Sequence, residues 1–284
     1  MSRGPSVAWL ACCAALVLTG CSGADEPEDA SSTAPSSSSS PADTPALDEA
    51  PDPKAGLCYR LSLEDAARPT SDAPPVPCTE DHTARTVHVG RLETVVDGRS
   101  LEVDSDRVQR QLADTCPAEL DEFLGGDAEL RALSRFEAIW FSPTLEEYDA
   151  GAMWFRCDVV AVGRADTLLR LPSDERLQGI LDRPGSLETY GLCGTAEPGA
   201  EQFERVACAL RHSWVAISTI PIEGGDVYPG VDKVREAGDE TCSDEVSERN
   251  GLALEYRYGW EWPTEDQWDA GQRYGFCWAP SDPA

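Results

Sequence analysis

Cysteine and histidine carry the sharpest chemical possibilities in this sequence. Cys78-x-x-x-His82 and Cys208-x-x-x-His212 share a spacing that could suit a metal, because thiolate and imidazole are good donors. A cysteine closed into a disulfide is no thiolate, however. Cys58, Cys78, Cys116, Cys157, Cys193, Cys208, Cys242 and Cys277 make an even set, which in an oxidising compartment reads as four disulfides. The expectation is therefore no metal and no cofactor, with His82 and His212 as structural histidines hydrogen-bonded near the loops they follow. Glu146/Glu147 and Asp104-x-Asp106 are the kinds of carboxylate pair that glycosidase or cation chemistry needs. With 52 acidic residues in the chain, such pairs arise without any function. No Gly-x-Ser-x-Gly, His-Glu-x-x-His, phosphate loop or dinucleotide fingerprint occurs, and a non-catalytic protein is expected.

The elements that position these residues occur twice. Gly56-Leu57-Cys58 recurs as Gly191-Leu192-Cys193, and Val76-Pro77-Cys78 with His82 recurs as Val206-Ala207-Cys208 with His212. Asp114-Thr115-Cys116 recurs as Glu240-Thr241-Cys242. Trp140 to Cys157 aligns without gaps on Trp260 to Cys277, sharing Trp, Pro, Thr, Asp-Ala-Gly and the final Cys. Four landmarks in one order mark a tandem duplication. If both copies share one disulfide scheme, three schemes remain. The favoured one joins Cys58–Cys78, Cys116–Cys157, Cys193–Cys208 and Cys242–Cys277, each bond contributing about 2–4 kcal/mol.

The copies differ most in one aromatic stretch. Tyr256, Tyr258, Trp260 and Trp262 alternate, so an extended strand sets all four on one face. Phe136 and Trp140 align with Tyr256 and Trp260 and read as shared core. Tyr258 and Trp262 are extra bulk where copy one has Ala138 and Ser142. They form a candidate binding face for glycan or a partner protein, against the plainer reading of a deeper core or of packing between copies.

The N-terminus supplies an address. Val7 to Leu18 is an apolar run of twelve residues behind the single charge of Arg3, too short for a spanning helix of about 20 residues. It reads as a signal peptide, residues 1–20. Leu18-Thr19-Gly20-Cys21 resembles a bacterial lipobox, which implies that the Cys21 thiol takes a diacylglyceryl group and palmitate-like acyl chains. Two or more chains anchor stably. Of eleven cysteines, Cys12 and Cys13 leave with the signal, and a lipidated Cys21 accounts for the odd one of the remaining nine. Residues 21–55 are rich in Pro, Ser and acid and read as a disordered tether, averaging roughly 30 Å end to end. The net charge of −29 repels nucleic acid and anionic headgroups. The expected location is the extracytoplasmic face of the cell membrane, with a lipid anchor in the cytoplasmic membrane.

The expected fold is α+β: two tandem homologous disulfide-stapled domains, each an antiparallel sheet with one main helix. Repeat 1 spans 56–166, a connector 167–189 and repeat 2 190–284. Strands are predicted over Thr86–Leu92 and Trp214–Ile220, over Phe136–Ser142 and Glu255–Trp262, and over Trp154–Val162 and Arg273–Trp278. The main helix of copy one is predicted to start at Pro117 and stop at Gly125, with Leu120, Phe123 and Leu124 on its apolar face. In copy two Cys242 and Val246 share a helix face and Asn250-Gly251 is the stop. Short helices begin at Thr144 and Thr264.

These landmarks resemble the septum-formation domain family of actinobacterial envelope proteins. The resemblance rests on Gly56-x-Cys58, Val76-Pro77-Cys78 with His82, Cys116 and Trp140…Pro143…Gly151…Cys157, and on Cys193, Cys208 with His212, Cys242 and Trp260…Cys277. It departs at Ala207, where copy one has Pro77. It implies an extracytoplasmic scaffold or binding protein tied to septum formation, with envelope or division proteins as partners. A cell-wall glycan or peptide binder using the aromatic face is the alternative, and an envelope hydrolase the third.

Overall fold

Each copy is organised by where its cysteines fall on the sheet. The computed structural model describes residues 52–252 and 254–281. The signal segment, Cys21 and the tether up to residue 51 lie outside the described residues. Copy one runs β1 (Cys58–Tyr59), α1 (Leu63–Ala66), β2 (Ala84–Arg91), a small hairpin of β3 (Val95–Val96) and β4 (Arg99–Ser100), and α2 (Asp106–Leu124). It continues with α3 (Ala128–Ala132), β5 (Phe136–Phe141), α4 (Leu145–Asp149), β6 (Trp154–Arg164) and β7 (Thr167–Leu168). The following stretch holds α5 (Asp174–Leu177), a 3-10 turn (Ile180–Asp182) and α6 (Ser186–Tyr190). Copy two has β8 (Leu192–Gly194), β9 (Arg205–Ala207), β10 (Trp214–Pro221), α7 (Val231–Ala237) and α8 (Asp239–Arg249). It closes with β11 (Gly259–Glu261), α9 (Glu265–Asp269) and β12 (Tyr274–Pro280).

The two sheets repeat one another in order and in register. Both are antiparallel; β1-β2-β6-β5 in copy one matches β8-β10-β12-β11 in copy two. Cys157 lies between His88 and Trp140, as Cys277 lies between Ser218 and Trp260. One extra residue bulges each long strand at the same place, between Thr86 and His88 and between Ala216 and Ser218. Copy two adds β9, pairing Cys193 with Val206, where copy one keeps the single bridge Cys58–Val76. The fold is α+β, and its cysteines pair as Cys58–Cys78, Cys116–Cys157, Cys193–Cys208 and Cys242–Cys277, with Cα separations of 5.3, 5.2, 5.0 and 5.2 Å.

Two sequence expectations need correction. Pro117 does not open a helix; it sits inside α2, which starts eleven residues earlier at Asp106. The buried stripe Val108, Leu112, Cys116, Leu120 and Leu124 recurs every four residues and carries the helix across the bond that Pro117 cannot donate to Ala113. Gly125 ends it as expected, at φ 71°. The strand expected over Glu255–Trp262 shrinks to β11, residues Gly259–Glu261.

Copy two also breaks its main helix, and Trp260 sits at the break. Its indole is buried and donates to the Val234 carbonyl at 3.2 Å. It reaches the backbone at Gly238, where a Cβ would come within 2.4 Å of the ring. Gly238 separates α7 from α8, and copy one has Leu112 at the equivalent place in the unbroken α2. Gly238→Ala is expected to cost about 1–3 kcal/mol by overpacking, read as a lowered thermal midpoint. An unchanged midpoint would show that this contact does not divide the helix.

The stretch 167–189 is more than a linker. Leu171, Leu177, Ile180 and Leu181, with Tyr190 just after the stretch, join Leu120, Phe136 and Val159 in one buried cluster. The backbone continues the tie: Tyr190 O accepts from Arg135 N and Leu133 O from Leu192 N, both at 2.7 Å. Both copies belong to one compact unit.

Candidate functional site

Strand β6 is buried on both faces. Alternation sets Phe155, Cys157 and Val159 toward α2 and leaves Trp154, Arg156, Asp158 and Val160 on the opposite face. Two ionisable side chains are thereby placed in a core. Asp158 is completely enclosed and Arg156 is 5% exposed.

They meet each other and little else that is polar. Arg156 Nε lies 3.3 Å from Asp158 Oδ2. Thr86, opposite Asp158 on β2, donates its hydroxyl to Asp158 Oδ1 at 2.7 Å. The guanidinium stacks 4.0 Å from the Tyr59 ring centroid and 4.6 Å from that of Phe141. Burial pushes the Asp158 carboxyl up to about 6, with the Arg156 charge and the Thr86 bond pulling the other way. Burial likewise raises the Tyr59 hydroxyl, opposed first by Arg156. Arg156 Nη2 is enclosed and has no hydrogen-bond partner among the described residues.

Arg156 also lines a cavity of about 560 Å³. Leu57, Tyr59, Ala73, Pro74, Pro75 and Trp154 supply its aromatic and apolar wall. Lys54, Ser71, Asp72 and Glu147 add polar groups. A volume of this size falls within the range of about 300–1,000 Å³ typical of small-molecule sites.

Copy two shows that the frame does not require this polarity. The gapless alignment puts Phe276 and Trp278 at the places of Arg156 and Asp158, and the matching bulge puts Ala216 at the place of Thr86. Those three pack with Leu192 and Trp214 in an apolar cluster. A neighbouring position keeps polar contacts: Glu261 accepts from the Trp278 indole at 3.0 Å and pairs with Arg205 at 3.0 Å.

Other paired features are structural. His88 Nδ1 lies 3.0 Å from Glu119 Oε2, and Ser218 donates its hydroxyl to Glu245 at the corresponding place in copy two. Both residues follow the strand bulge, and both glutamates stand three positions after the helix cysteine, so each pair ties the helix to the sheet. His82 and His212 each donate Nδ1–H to a carbonyl two residues back, Glu80 and Leu210, at 2.8 Å. The described residues contain no cluster of three or more metal-ligating side chains of the His, Cys, Asp and Glu types. Glu147 closes a capping box with Thr144 at the start of α4.

Tyr258 and Trp262 are both half-buried, packed in part against the cluster of Val234, Cys242, Trp260 and Trp268. Tyr258 Oη donates to the Asp239 carboxylate at 3.3 Å. Burial and then the Asp239 charge raise the Tyr258 hydroxyl. Tyr256, beside it, shares a 2.8 Å hydrogen bond with Ser243. Each candidate residue is partly exposed, as a binding face requires.

Sequence reasoning did not single out Arg156, Asp158, Thr86 or Tyr59. The signal was present in the aligned closing strands, where Trp-Phe-Arg-Cys-Asp-Val stands against Tyr-Gly-Phe-Cys-Trp-Ala. Two charges replace two aromatics on one face of a strand that is apolar on the other.

A family model described as septum formation matches residues 29–134 and again residues 105–277, in keeping with two tandem copies. The two matches overlap over 105–134, which contains α2. No curated protein and no solved structure matches the chain.

Proposed function

Because the chain belongs to the septum-formation family, matched in two segments that together run from residue 29 to residue 277, we propose that it is a lipid-anchored, non-catalytic binding or scaffold protein on the outer face of the cytoplasmic membrane. The family connects it with septum formation and cell division. The observation that carries the finer reading is the closure of all eight cysteines after Leu57 into four disulfides within a doubled frame. Disulfides persist outside the cytoplasm, which agrees with a signal peptide and with Cys21 as the lipidated residue. No described helix is long and apolar enough to cross a membrane; the anchor proposed is the lipidated Cys21.

The test is imaging in dividing cells of the full chain with a tag that folds outside the membrane. A control carries only residues 1–55 on the same tag. Septal enrichment that needs the folded copies is expected, and Cys21→Ser should release the protein from membranes. Uniform peripheral signal from both would remove the septal role as a targeting claim.

A second reading is favoured by the half-buried pair Tyr258 and Trp262, which suits a cell-wall glycan or peptide. Sedimentation with purified peptidoglycan tests it. Binding is expected to weaken about tenfold when both residues become alanine, as loss of one or two aromatic anchors would give. Unchanged sedimentation would restrict the two rings to packing.

A further inference from the structure

We propose that the open face of copy two between Glu188 and Arg249 is a docking groove for an aliphatic peptide segment of a partner protein, one with a base before its apolar residues and an acid after them.

Copy one shows what such a face holds. There the stretch 167–189 lies across the end of α2 and the adjoining sheet. Its Leu171, Leu177, Ile180 and Leu181 pack with Val159 and Ala161, and Val87 and Phe123 join them from β2 and α2. Main-chain bonds hold it along the face. Leu171 N–H donates to His82 O at 2.9 Å, Leu169 N–H to Ala161 O at 2.7 Å, and Gly179 N–H to Phe123 O at 2.9 Å. The alignment of the copies puts His212, Ile217, Arg249 and Ser281 at the places of His82, Val87, Phe123 and Ala161. In copy two these four line a cavity of about 450 Å³ where copy one has a filled core. Leu187, Cys208, Val215 and Ile217 give it an apolar wall, and all four are only half-buried, so an incoming side chain can reach them.

Charge at the two ends selects the occupant. In copy one Arg176 lines a cavity together with Cys78 and His82, and Asp182 accepts from Gly126 N–H at 2.8 Å just beyond the end of α2. The covering stretch thus has a base at the cysteine end of the face and an acid at the helix end. In copy two the cysteine end carries Glu188 and the helix end carries Arg249. Both are exposed, and neither has an ion-pair partner among the described residues. A segment laid in the same direction with the pattern of residues 176–182, Arg-Leu-x-x-Ile-Leu-Asp, meets the opposite charge at each end. A second copy of this chain cannot offer its own segment of that pattern, because there Leu177, Ile180 and Leu181 are buried against its own copy one. The inference deepens the binding role proposed above and rests on it for its use in the cell. Its test is made in solution, so its failure would leave the localisation result standing.

The test is calorimetric titration of the full chain in detergent with a synthetic peptide of residues 170–183, the covering stretch of copy one used as a probe. Saturable one-to-one binding is expected, with a Kd below about 1 mM. The peptide carrying Leu177→Ser, Ile180→Ser and Leu181→Ser should not bind. Val215→Glu in the chain sets a carboxylate in the apolar wall and should weaken binding at least about tenfold, with folding checked by circular dichroism. Arg249→Glu should weaken it about fivefold, the size of one exposed ion pair. A peptide carrying Asp182→Arg should recover that loss on the Arg249→Glu chain, which a folding defect could not produce. No saturation up to about 1 mM, undiminished binding by a folded Val215→Glu chain, or no recovery by the Asp182→Arg peptide would each overturn the proposal. Self-association of the full chain that Val215→Glu abolishes would give the groove to a second copy and overturn it as well.

Discussion

Arg156→Met is expected to destabilise the folded chain by about 3–5 kcal/mol near neutral pH, because it leaves Asp158 buried with no counter-charge. Asp158→Asn should cost a similar amount for the converse reason, since Arg156 cannot shed its proton. The double substitution Arg156→Met/Asp158→Asn should cost less than either single change. It removes two charges whose desolvation the fold sustains, and copy two shows apolar Phe276 and Trp278 at those places. The pH dependence separates the two singles. Asp158 has a folded-state pKa raised to about 6 from 3.8. A raised carboxyl pKa gives a contribution to stability that is fully present below about pH 4 and lost as pH rises through about 6. At about 1.4 kcal/mol per unit, that contribution is on the order of 3 kcal/mol in the native chain. Without Arg156 the carboxyl is held in its neutral form still more strongly, so Arg156→Met should recover much of its loss on going from about pH 7.5 to pH 5. Asp158→Asn should show no such recovery. Denaturant melts of the three variants at the two pH values decide the matter. A loss for the double equal to the sum of the two single losses would show that the two residues do not act as a pair.

This pair also marks the limit of what could be read from the chain. The repeated Cys, His and Trp landmarks are local in sequence and survive in both copies, so the duplication, the α+β class and the helix–sheet frame were legible. Thr144 and Thr264 were legible as caps because a threonine followed by Glu147 or Gln267 is a short-range capping pattern. Pro117 misled because a local rule for helix starts competed with a stripe of apolar residues beginning at Val108, and tertiary packing prevailed. The short β11 was missed for the same kind of reason. Alternation over Tyr256 to Trp262 predicts a strand, but Tyr256 and Tyr258 reach α8 residues through Ser243 and Asp239, and that stretch leaves the ladder. Arg156 and Asp158 were unreadable as a site because their partners come from afar. Tyr59 precedes Arg156 by almost the whole of copy one, and the cavity wall comes from the loop around Pro74 and Pro75. Burial of a charge is a property of the assembled layers, and no window of β6 contains it.

Removing the helix-to-strand disulfide of copy one, as Cys116→Ala/Cys157→Ala, should cost about 4 kcal/mol for its sequence separation of 41 residues, on the chain-entropy account. Both of these cysteines are fully buried, and they join α2 to the centre of the sheet. The first-loop bond Cys58–Cys78 spans 20 residues and ends on a half-buried Cys78, so Cys58→Ala/Cys78→Ala should cost about 3 kcal/mol. For a folded region of this size, the larger loss lowers the thermal midpoint by about 10 °C. The shape of the transition carries a second result. The copies are joined by the Arg135–Tyr190 and Leu192–Leu133 main-chain bonds. They also share a core cluster in which Leu133 packs with Leu192, Trp214 and Trp278. A break in copy one should therefore weaken copy two, and calorimetry should show one transition shifted as a whole. The same shift is expected from Cys242→Ala/Cys277→Ala, whose separation of 35 residues gives nearly the same loop term. Two transitions, only one of which moves with each pair of substitutions, would mean that the copies unfold independently and that the bonds between them add little. A single shared transition would mean that a partner binding either copy stabilises both against unfolding.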